Sequence, residues 1–278
     1  MSILDKLFNL KDKVAVITGG AGLLGSEYAK TLAAAGANIV IVDLDQAKGD
    51  RLAKTLEKDY QIKAIGVKAD ISSEQDVGLM AERVETEFGR VDILINNAAF
   101  NCPADAAASC FMGFEDYPLA LWEKSLGVNL TGTFLCAQKM IKLMVKKKIK
   151  GSIINISSTY GVVAPDQRIY SGIKSKDDKS KRFIKPVDYS TTKSAILNFT
   201  RYLAALYGDR GIRVNTLTPS GVFDNQEENF VKEFCKRAPL GRMADKEDYN
   251  GAILFLASDA SSYMTGANLI IDGGWTSW

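Results

Sequence analysis

Short, nearly uninterrupted apolar runs recur along the chain, each followed by a small or polar turn and then by a stretch with helical spacing. Val14-Ala15-Val16-Ile17 opens the series, giving way to Thr18-Gly19-Gly20-Ala21-Gly22-Leu23-Leu24-Gly25 and a helical pattern from Ser26 to Ala35. Asn38-Ile39-Val40-Ile41-Val42 ends at Asp43, and Ala64 to Lys68 leads to Asp70. A helical stretch from Glu74 to Phe88 precedes Val91 to Ile95 and the segment Asn96-Asn97-Ala98-Ala99. Further on, the pattern predicts a long helix from Pro118 to Lys148, a fifth strand from Gly151 to Ser158, and a helix beginning near Tyr189. A sixth strand, Arg213 to Leu217, runs into Pro219-Ser220-Gly221, and a helix from Asp245 to Ala257 precedes a seventh, Asn268 to Ile271. Strands that are apolar throughout, rather than alternating, suit a sheet covered on both faces. The expected fold is therefore α/β, a doubly wound Rossmann-type sheet of seven parallel strands with helices on both faces. No internal repeat or linker-like shift in composition divides the chain, so residues 1–278 are expected to form a single domain.

Composition narrows the functions such a sheet can serve. With 278 residues, 46% hydrophobic and 24% charged, the chain has the make-up of a soluble globular protein. A net charge of +2 leaves no electrostatic footprint for nucleic acid. No apolar run is long enough to span a bilayer, and the start lacks a secretory apolar region, so a cytoplasmic location without membrane partners is expected. Cys102, Cys110, Cys136 and Cys235 form no CxxC pair, and no metal site is expected. The sequence contains no histidine. A Ser-His-Asp hydrolase, a histidine-based dehydrogenase and a histidine-ligated metal centre are thereby excluded, leaving acid–base work to Tyr, Lys, Asp, Glu or Cys.

The candidate chemistry lies after the strands, where ligands of open α/β sheets bind. A glycine turn between strand and helix lets the backbone approach a pyrophosphate, whose charge meets the free N–H groups of the helix start. Asp43, one strand further on, is placed to accept the hydroxyls of an adenosine ribose and would repel a 2′-phosphate, which favours NAD over NADP; its plainer role is a helix cap. Asp70 is placed to meet an adenine edge or merely to open a turn. Tyr189 and Lys193, four apart at a helix start, share one face. A cation beside a phenol favours the phenolate and so lowers its pKa toward the working range. Taken singly, that pair also occurs on helices without chemistry, Ser158 also serves as a turn hydroxyl, and Asn129 also suits a local backbone contact.

In combination and order, these segments resemble the short-chain dehydrogenase/reductase family in its compact single-domain branch. The resemblance extends from Lys13 to Gly274. It rests on the Thr18 to Gly25 turn, Asn96-Asn97-Ala98, Asn129, Ser158, Tyr189/Lys193 and Arg213-Val214-Asn215. It implies that Tyr189 is the acid–base residue, that Lys193 lowers its pKa and binds the nicotinamide ribose, that Ser158 bonds the substrate oxygen, and that Asn129 holds a water linking Lys193 to solvent. Thr18, Gly19, Gly22, Leu24, Gly25, Asp43, Asp70, Asn97 and Ala98 would complete the NAD site. Departures from the family pattern are Leu23 where glycine is usual, Ala98-Ala99 where Ala-Gly is usual, and Ser220 between Pro219 and Gly221.

Tyr170 and Lys174 also match the Tyr-x-x-x-Lys pattern. An apolar helical pattern follows Tyr189, whereas Gly172 and a polar run follow Tyr170, so Tyr189 is the expected residue and 167–186 an inserted loop. That insertion carries Arg168, Lys174, Lys176, Lys179, Lys181, Arg182 and Lys185 against Asp177 and Asp178. A cationic flap at the site mouth suggests an anionic substrate such as a sugar phosphate or nucleotide sugar; a solvated surface loop is the plainer alternative. Pro239-Leu240-Gly241-Arg242-Met243 and the Trp-containing end are similar to oxidoreductases of bacterial surface-sugar pathways, including those for legionaminic acid. The expected function is thus NAD-dependent hydride transfer to or from a hydroxyl or carbonyl, in a homo-oligomer by resemblance. Non-catalytic NAD(H) sensing is the alternative, and a structural subunit built on the long helices a third.

Overall fold

The computed structural model describes residues 2–101, 113–174, 180 and 183–278. Cys102, Cys110, Lys176, Asp177, Asp178, Lys179, Lys181 and Arg182 lie outside these described residues. Seven parallel strands form one sheet in the order β3-β2-β1-β4-β5-β6-β7: β1 Val14–Thr18, β2 Asn38–Asp43, β3 Ala64–Lys68, β4 Ile93–Asn96, β5 Ser152–Ile156, β6 Arg213–Pro219 and β7 Asn268–Ile271. Along β1 the side chains alternate between two cores, with Ala15 and Ile17 in one and Val14 and Val16 in the other. That alternation explains the unbroken apolar run, since both faces of the strand are covered.

One core is closed by α2 Leu23–Ala34, α3 Gln46–Tyr60 and α9 Asn250–Ala257, with Tyr28, Leu32, Leu56 and Ile253 fully buried. The other is closed by α4 Glu74–Phe88, α6 Thr133–Lys146 and α7 Val187–Tyr207, which contribute Val77, Met80, Met140 and Leu203. Local chemistry marks the helix ends. Asp45 caps α3 by accepting the Lys48 N–H at 3.0 Å, and Gly89 stops α4 in a left-handed conformation, φ 68°. A short helix, α1 Ile3–Phe8, forms in the polar lead-in, where the sequence pattern gives no strong period; a reciprocal Ser2/Asp5 capping box starts it.

Two expected elements differ in detail. The helix expected over 118–148 is divided into α5 Leu119–Ser125, a π-helical turn Leu126–Gly132, and α6. The irregular stretch from Val222 to Ala238 contains α8 Glu228–Cys235. A third, smaller core joins Ile169, Tyr170 and Phe183 of the insertion to Phe234, Met243 and Trp275. Within the described part of the insertion, Ile169, Tyr170 and Phe183 are thus packed, while Gln167, Arg168, Gly172 and Lys174 are exposed.

The strand order reverses between β1 and β4, on either side of which the chain leaves in opposite directions. Such a switch point opens a crevice at the carboxyl ends of the strands.

Candidate active site

A cleft of about 1210 Å³ occupies this crevice. At one end lie Gly19, Gly22, Leu24 and Asp43; in the middle Ser158, Tyr189 and Lys193; at the other Tyr160, Tyr170, Phe183, Lys185 and Phe230.

The glycine end is built almost wholly from backbone. Gly19 has φ +58°, and a Cβ there would come within 2.9 Å of the Ala98 Cα. A Cβ on Gly25 would overlap the Gly19 carbonyl oxygen, so this glycine lets α2 start against the turn. Gly22 precedes α2 with no side-chain cap, leaving the helix start open to the cleft. Asp43 Oδ2 accepts the Ala21 N–H at 3.0 Å and Oδ1 that of Asp45 at 3.2 Å, which fixes its carboxylate beside the turn. Asn97 Nδ2 donates to the carbonyls of Thr18 and Gly19 at 3.0 and 3.1 Å. Thr18 is fully buried and accepts the Asn97 and Ala98 N–H groups, so it braces the rim from beneath. Asp70 is exposed and not among the cleft-lining residues; its Oδ1 accepts from the Ser72 N–H and hydroxyl at 2.9 and 2.6 Å, opening the turn into α4. The open helix start, the glycines and the fixed carboxylate fit a dinucleotide.

In the middle, Tyr189 occupies the first turn of α7 and Lys193 follows one turn later. Ser158 lies two residues past β5 in an extended conformation; its hydroxyl accepts the Tyr160 N–H at 3.2 Å and lines the cleft beside Tyr189. Buried Lys193 donates to the Ile156 carbonyl at 2.7 Å, and burial pushes its pKa down to about 8. Its ammonium stands 5.9 Å from the Tyr189 ring centroid. The expected lowering of the Tyr189 pKa by Lys193 is not seen here. Burial pushes the phenol up, and the opposing pull comes from the Ser158 hydroxyl.

Asn129 is buried in the π-helical turn. It exchanges two hydrogen bonds with the Phe100 backbone, at 2.6 and 3.0 Å, and donates to the Thr192 hydroxyl at 3.1 Å. The side chain thus ties the segment after β4 to α7; π-turns recur where a helix must present such a group. Sequence patterns missed three supports. Ser157 donates to the Lys193 carbonyl at 2.7 Å, Thr200 links Asn155 to Thr216, and Gly161 permits close approach to α7, where a Cβ would lie 2.6 Å from the Lys193 carbonyl oxygen. All three depend on contacts distant in sequence.

Tyr170 lies on a 3₁₀ turn, Gln167–Tyr170, buried against Phe183 and Phe230, with its hydroxyl 2.8 Å from that of Tyr160. Burial raises its pKa well above the usual tyrosine range and Tyr160's to about 12. Lys174 lines the cleft, while Arg168 is paired with Asp166 at 2.8 Å. Among the described residues no cluster of candidate metal ligands occurs, and no helix is long and apolar enough to cross a membrane.

Comparison with known proteins gives a consistent picture. A short chain dehydrogenase family model matches residues 13–176, and an Enoyl-(Acyl carrier protein) reductase model matches 179–276. The chain is 34% identical over 277 residues to D-threitol dehydrogenase of Mycolicibacterium smegmatis, covering 97% of this chain and 95% of that protein. It is also 34% identical over 274 residues to trans-4-hydroxycyclohexanecarboxylate dehydrogenase of Sinomonas cyclohexanicum, covering 95% and 93%. Among solved structures, a short chain dehydrogenase from Leptospira borgpetersenii with bound NAD+ superposes with a TM-score of 0.82, at 34% identity over 99% and 96% of the two chains. Gluconate 5-dehydrogenase from Burkholderia cenocepacia, in complex with NADP and tartrate, gives 0.81 at 30% identity over the whole of both.

Proposed function

The chain belongs to the short-chain dehydrogenase/reductase family of oxidoreductases, and from that premise we propose that it is an NAD-dependent dehydrogenase acting on a hydroxyl or carbonyl of an anionic substrate. The carrying observation is that Ser158, Tyr189 and Lys193 line the same cleft as the glycine turn and Asp43.

Asp43 supports NAD, since a carboxylate fixed beside the turn accepts ribose hydroxyls and repels a 2′-phosphate. Gly19, Gly22, Leu24 and Gly25, with Asn97 and Ala98 opposite, would hold the dinucleotide. When bound, the nicotinamide supplies the hydride acceptor or donor. The protein handles the proton. In oxidation, Ser158 orients the substrate hydroxyl toward Tyr189, whose phenolate oxygen takes the hydroxyl proton as hydride leaves the same carbon. In reduction the two transfers reverse. Lys193 anchors the ribose and adds positive charge behind the phenol, while Asn129 keeps α7 at the right height and connects this end of the site to the segment after β4. Relatives that act on a hydroxycarboxylate, and a neighbour bound to tartrate, support the anionic substrate. The proposal extends to assembly: Phe134 on α6 and Tyr202 and Leu206 on α7 are exposed, which favours a homo-oligomer formed through these helices.

The test is reduced-nicotinamide absorbance on mixing the protein with NAD or NADP and a panel containing D-threitol, glucose, gluconate and 4-hydroxycyclohexanecarboxylate. Reduction of NAD, strongest with an acid, is expected. Reduction of NADP alone would overturn the cofactor reading, and a preference for neutral sugars would overturn the anionic one.

A further inference from the structure

Lys185 lies at the neck of the insertion and is held there twice. Its N–H donates to Gln167 Oε1 at 2.9 Å and its carbonyl accepts from Gln167 Nε2 at 3.3 Å, closing the loop end to end. Its ammonium reaches into the cleft, donates to Asn101 Oδ1 at 2.6 Å, and lies over the Tyr189 ring 4.2 Å from the centroid. It is thus nearer that ring than Lys193 is. The Tyr160 ring centroid is 5.9 Å away on another side.

The cleft that this ammonium enters has a wall that is largely aromatic and apolar: Tyr160, Tyr170, Ile173, Phe183, Phe230 and Phe234. The charged groups nearby are otherwise engaged or oppositely placed. Asp188 Oδ1 accepts the Tyr117 hydroxyl at 2.8 Å, and Glu227 caps α8 by accepting the Phe230 N–H at 3.0 Å. Asp166 is shared between Arg168 and Arg237. Lys193 is bonded to the Ile156 carbonyl, while Lys174 and Asp224 also line the cleft. Enclosure pushes the Lys185 pKa down to about 8, and Asp188 pulls weakly the other way. A cation in that setting gains more from an incoming anion than one in water does.

We infer that Lys185, steadied by Asn101 and Gln167, is the specificity-determining contact for a substrate carboxylate, and that the substrate is a small hydroxy acid with an apolar ring or chain rather than a heavily hydroxylated sugar. The inference rests on the dehydrogenase reading and narrows it. A carboxylate on Lys185 brings the body of the molecule against the aromatic wall and its carbinol to the Tyr189 and Ser158 hydroxyls. Lys185 itself takes no part in the proton or hydride transfer.

Binding without turnover gives the test. Cyclohexanecarboxylate and its neutral counterpart cyclohexanecarboxamide are titrated calorimetrically into the NAD-loaded full chain, using the wild type, Lys185→Met, Lys185→Arg and Tyr189→Phe. The carboxylate is expected to bind at least about tenfold more tightly than the amide, one tenfold step being about 1.4 kcal/mol. Lys185→Met should remove that preference, Lys185→Arg should keep most of it, and Tyr189→Phe should leave it. Lys185→Gln serves as the second neutral variant if Lys185→Met does not fold. Equal binding of the two probes, no binding of either, or equal losses for both on removing the ammonium would overturn the inference. So would cyclohexyl phosphate binding where the carboxylate does not. Oxidation of 4-hydroxycyclohexanecarboxylate is measured alongside. Carboxylate selection without hydride transfer would sink the dehydrogenase reading alone, whereas turnover of neutral alcohols without carboxylate preference would sink this inference alone.

Discussion

The two ends of the cleft are built by different means. The dinucleotide end is backbone: a glycine turn, an uncapped helix start, and side chains such as Thr18 and Asn97 that brace main-chain groups. The end proposed to take the substrate is side chains, brought together from the insertion, the turn after β5 and the region of α8. Backbone recognition depends on a few residues close in sequence and suits a ligand whose phosphates do not vary. Side-chain recognition can be rebuilt by exchanging a loop, leaving the sheet untouched.

The reaction centre belongs to neither end, and its removal should have the largest effect. Tyr189→Phe should lower turnover by about 10³-fold while sparing cofactor binding, in the range of a lost general acid–base group. Tyr170→Phe, at the substrate end, should lose only the hydroxyl contact with Tyr160, about 1 kcal/mol of stability. Assays of both variants compare the two Tyr-x-x-x-Lys matches directly, and the opposite pattern would move the chemistry into the insertion.

Gly25→Ala attacks the backbone end. Its Cβ would overlap the Gly19 carbonyl oxygen and approach the Gly20 Cα to 2.8 Å, so about 3 kcal/mol of destabilisation is expected, with weakened cofactor binding. Denaturant melts with and without NAD will read it; an unchanged melt would mean that the turn yields freely. Asp43→Asn keeps an acceptor for the Ala21 N–H but removes the charge. The NAD-over-NADP ratio of kcat/KM should fall about tenfold, or about 1.4 kcal/mol. An unchanged ratio would remove Asp43 from cofactor choice.

The smallest effect concerns stability. The folded-state pKa of Lys193, about 8, lies below its ordinary 10.5, so the folded state resists this proton and the burial penalty is fully present below pH 8. Lys193→Met should therefore be more stable than the wild type at pH 7 by about 1 kcal/mol, although inactive. As pH rises from 8 toward 10.5 the wild-type lysine sheds its charge and the gap should close. Thermal melts across that interval will show it; a constant gap would point to packing instead of charge.

These contrasts explain what was legible in the sequence. The strands, their parallel order and the glycine turn follow from patterns within a dozen residues, as does the Tyr189/Lys193 spacing on α7. The register that joins Ser158 to Tyr189 does not, since it depends on Ser157, Gly161 and Thr200 meeting across the fold. Asp70 illustrates the converse: it follows a strand as a ligand-binding residue should, and one of its carboxylate oxygens opens a turn by accepting twice from Ser72, a role that its position alone does not reveal. The insertion was visible as a run of charge, but its packed residues, Ile169, Tyr170 and Phe183, are too few and too scattered to show a period. Lys193 shows the limit of reading electrostatics from spacing, because burial rather than its neighbouring cation dominates the phenol.

The π-helical turn around Asn129 has an evolutionary consequence. Such a turn carries one residue more than an ordinary α-helix would need, while the helices on either side remain in phase. Shortening Leu126–Gly132 by a single residue would let α5 and α6 fuse into a regular rod, with each later side chain still facing its old partners, but would withdraw the amide from Phe100 and Thr192. The scaffold is thus one deletion away from a version of itself that keeps its architecture and surrenders this link to the active site. In this respect function is a spare residue the helix has been made to carry.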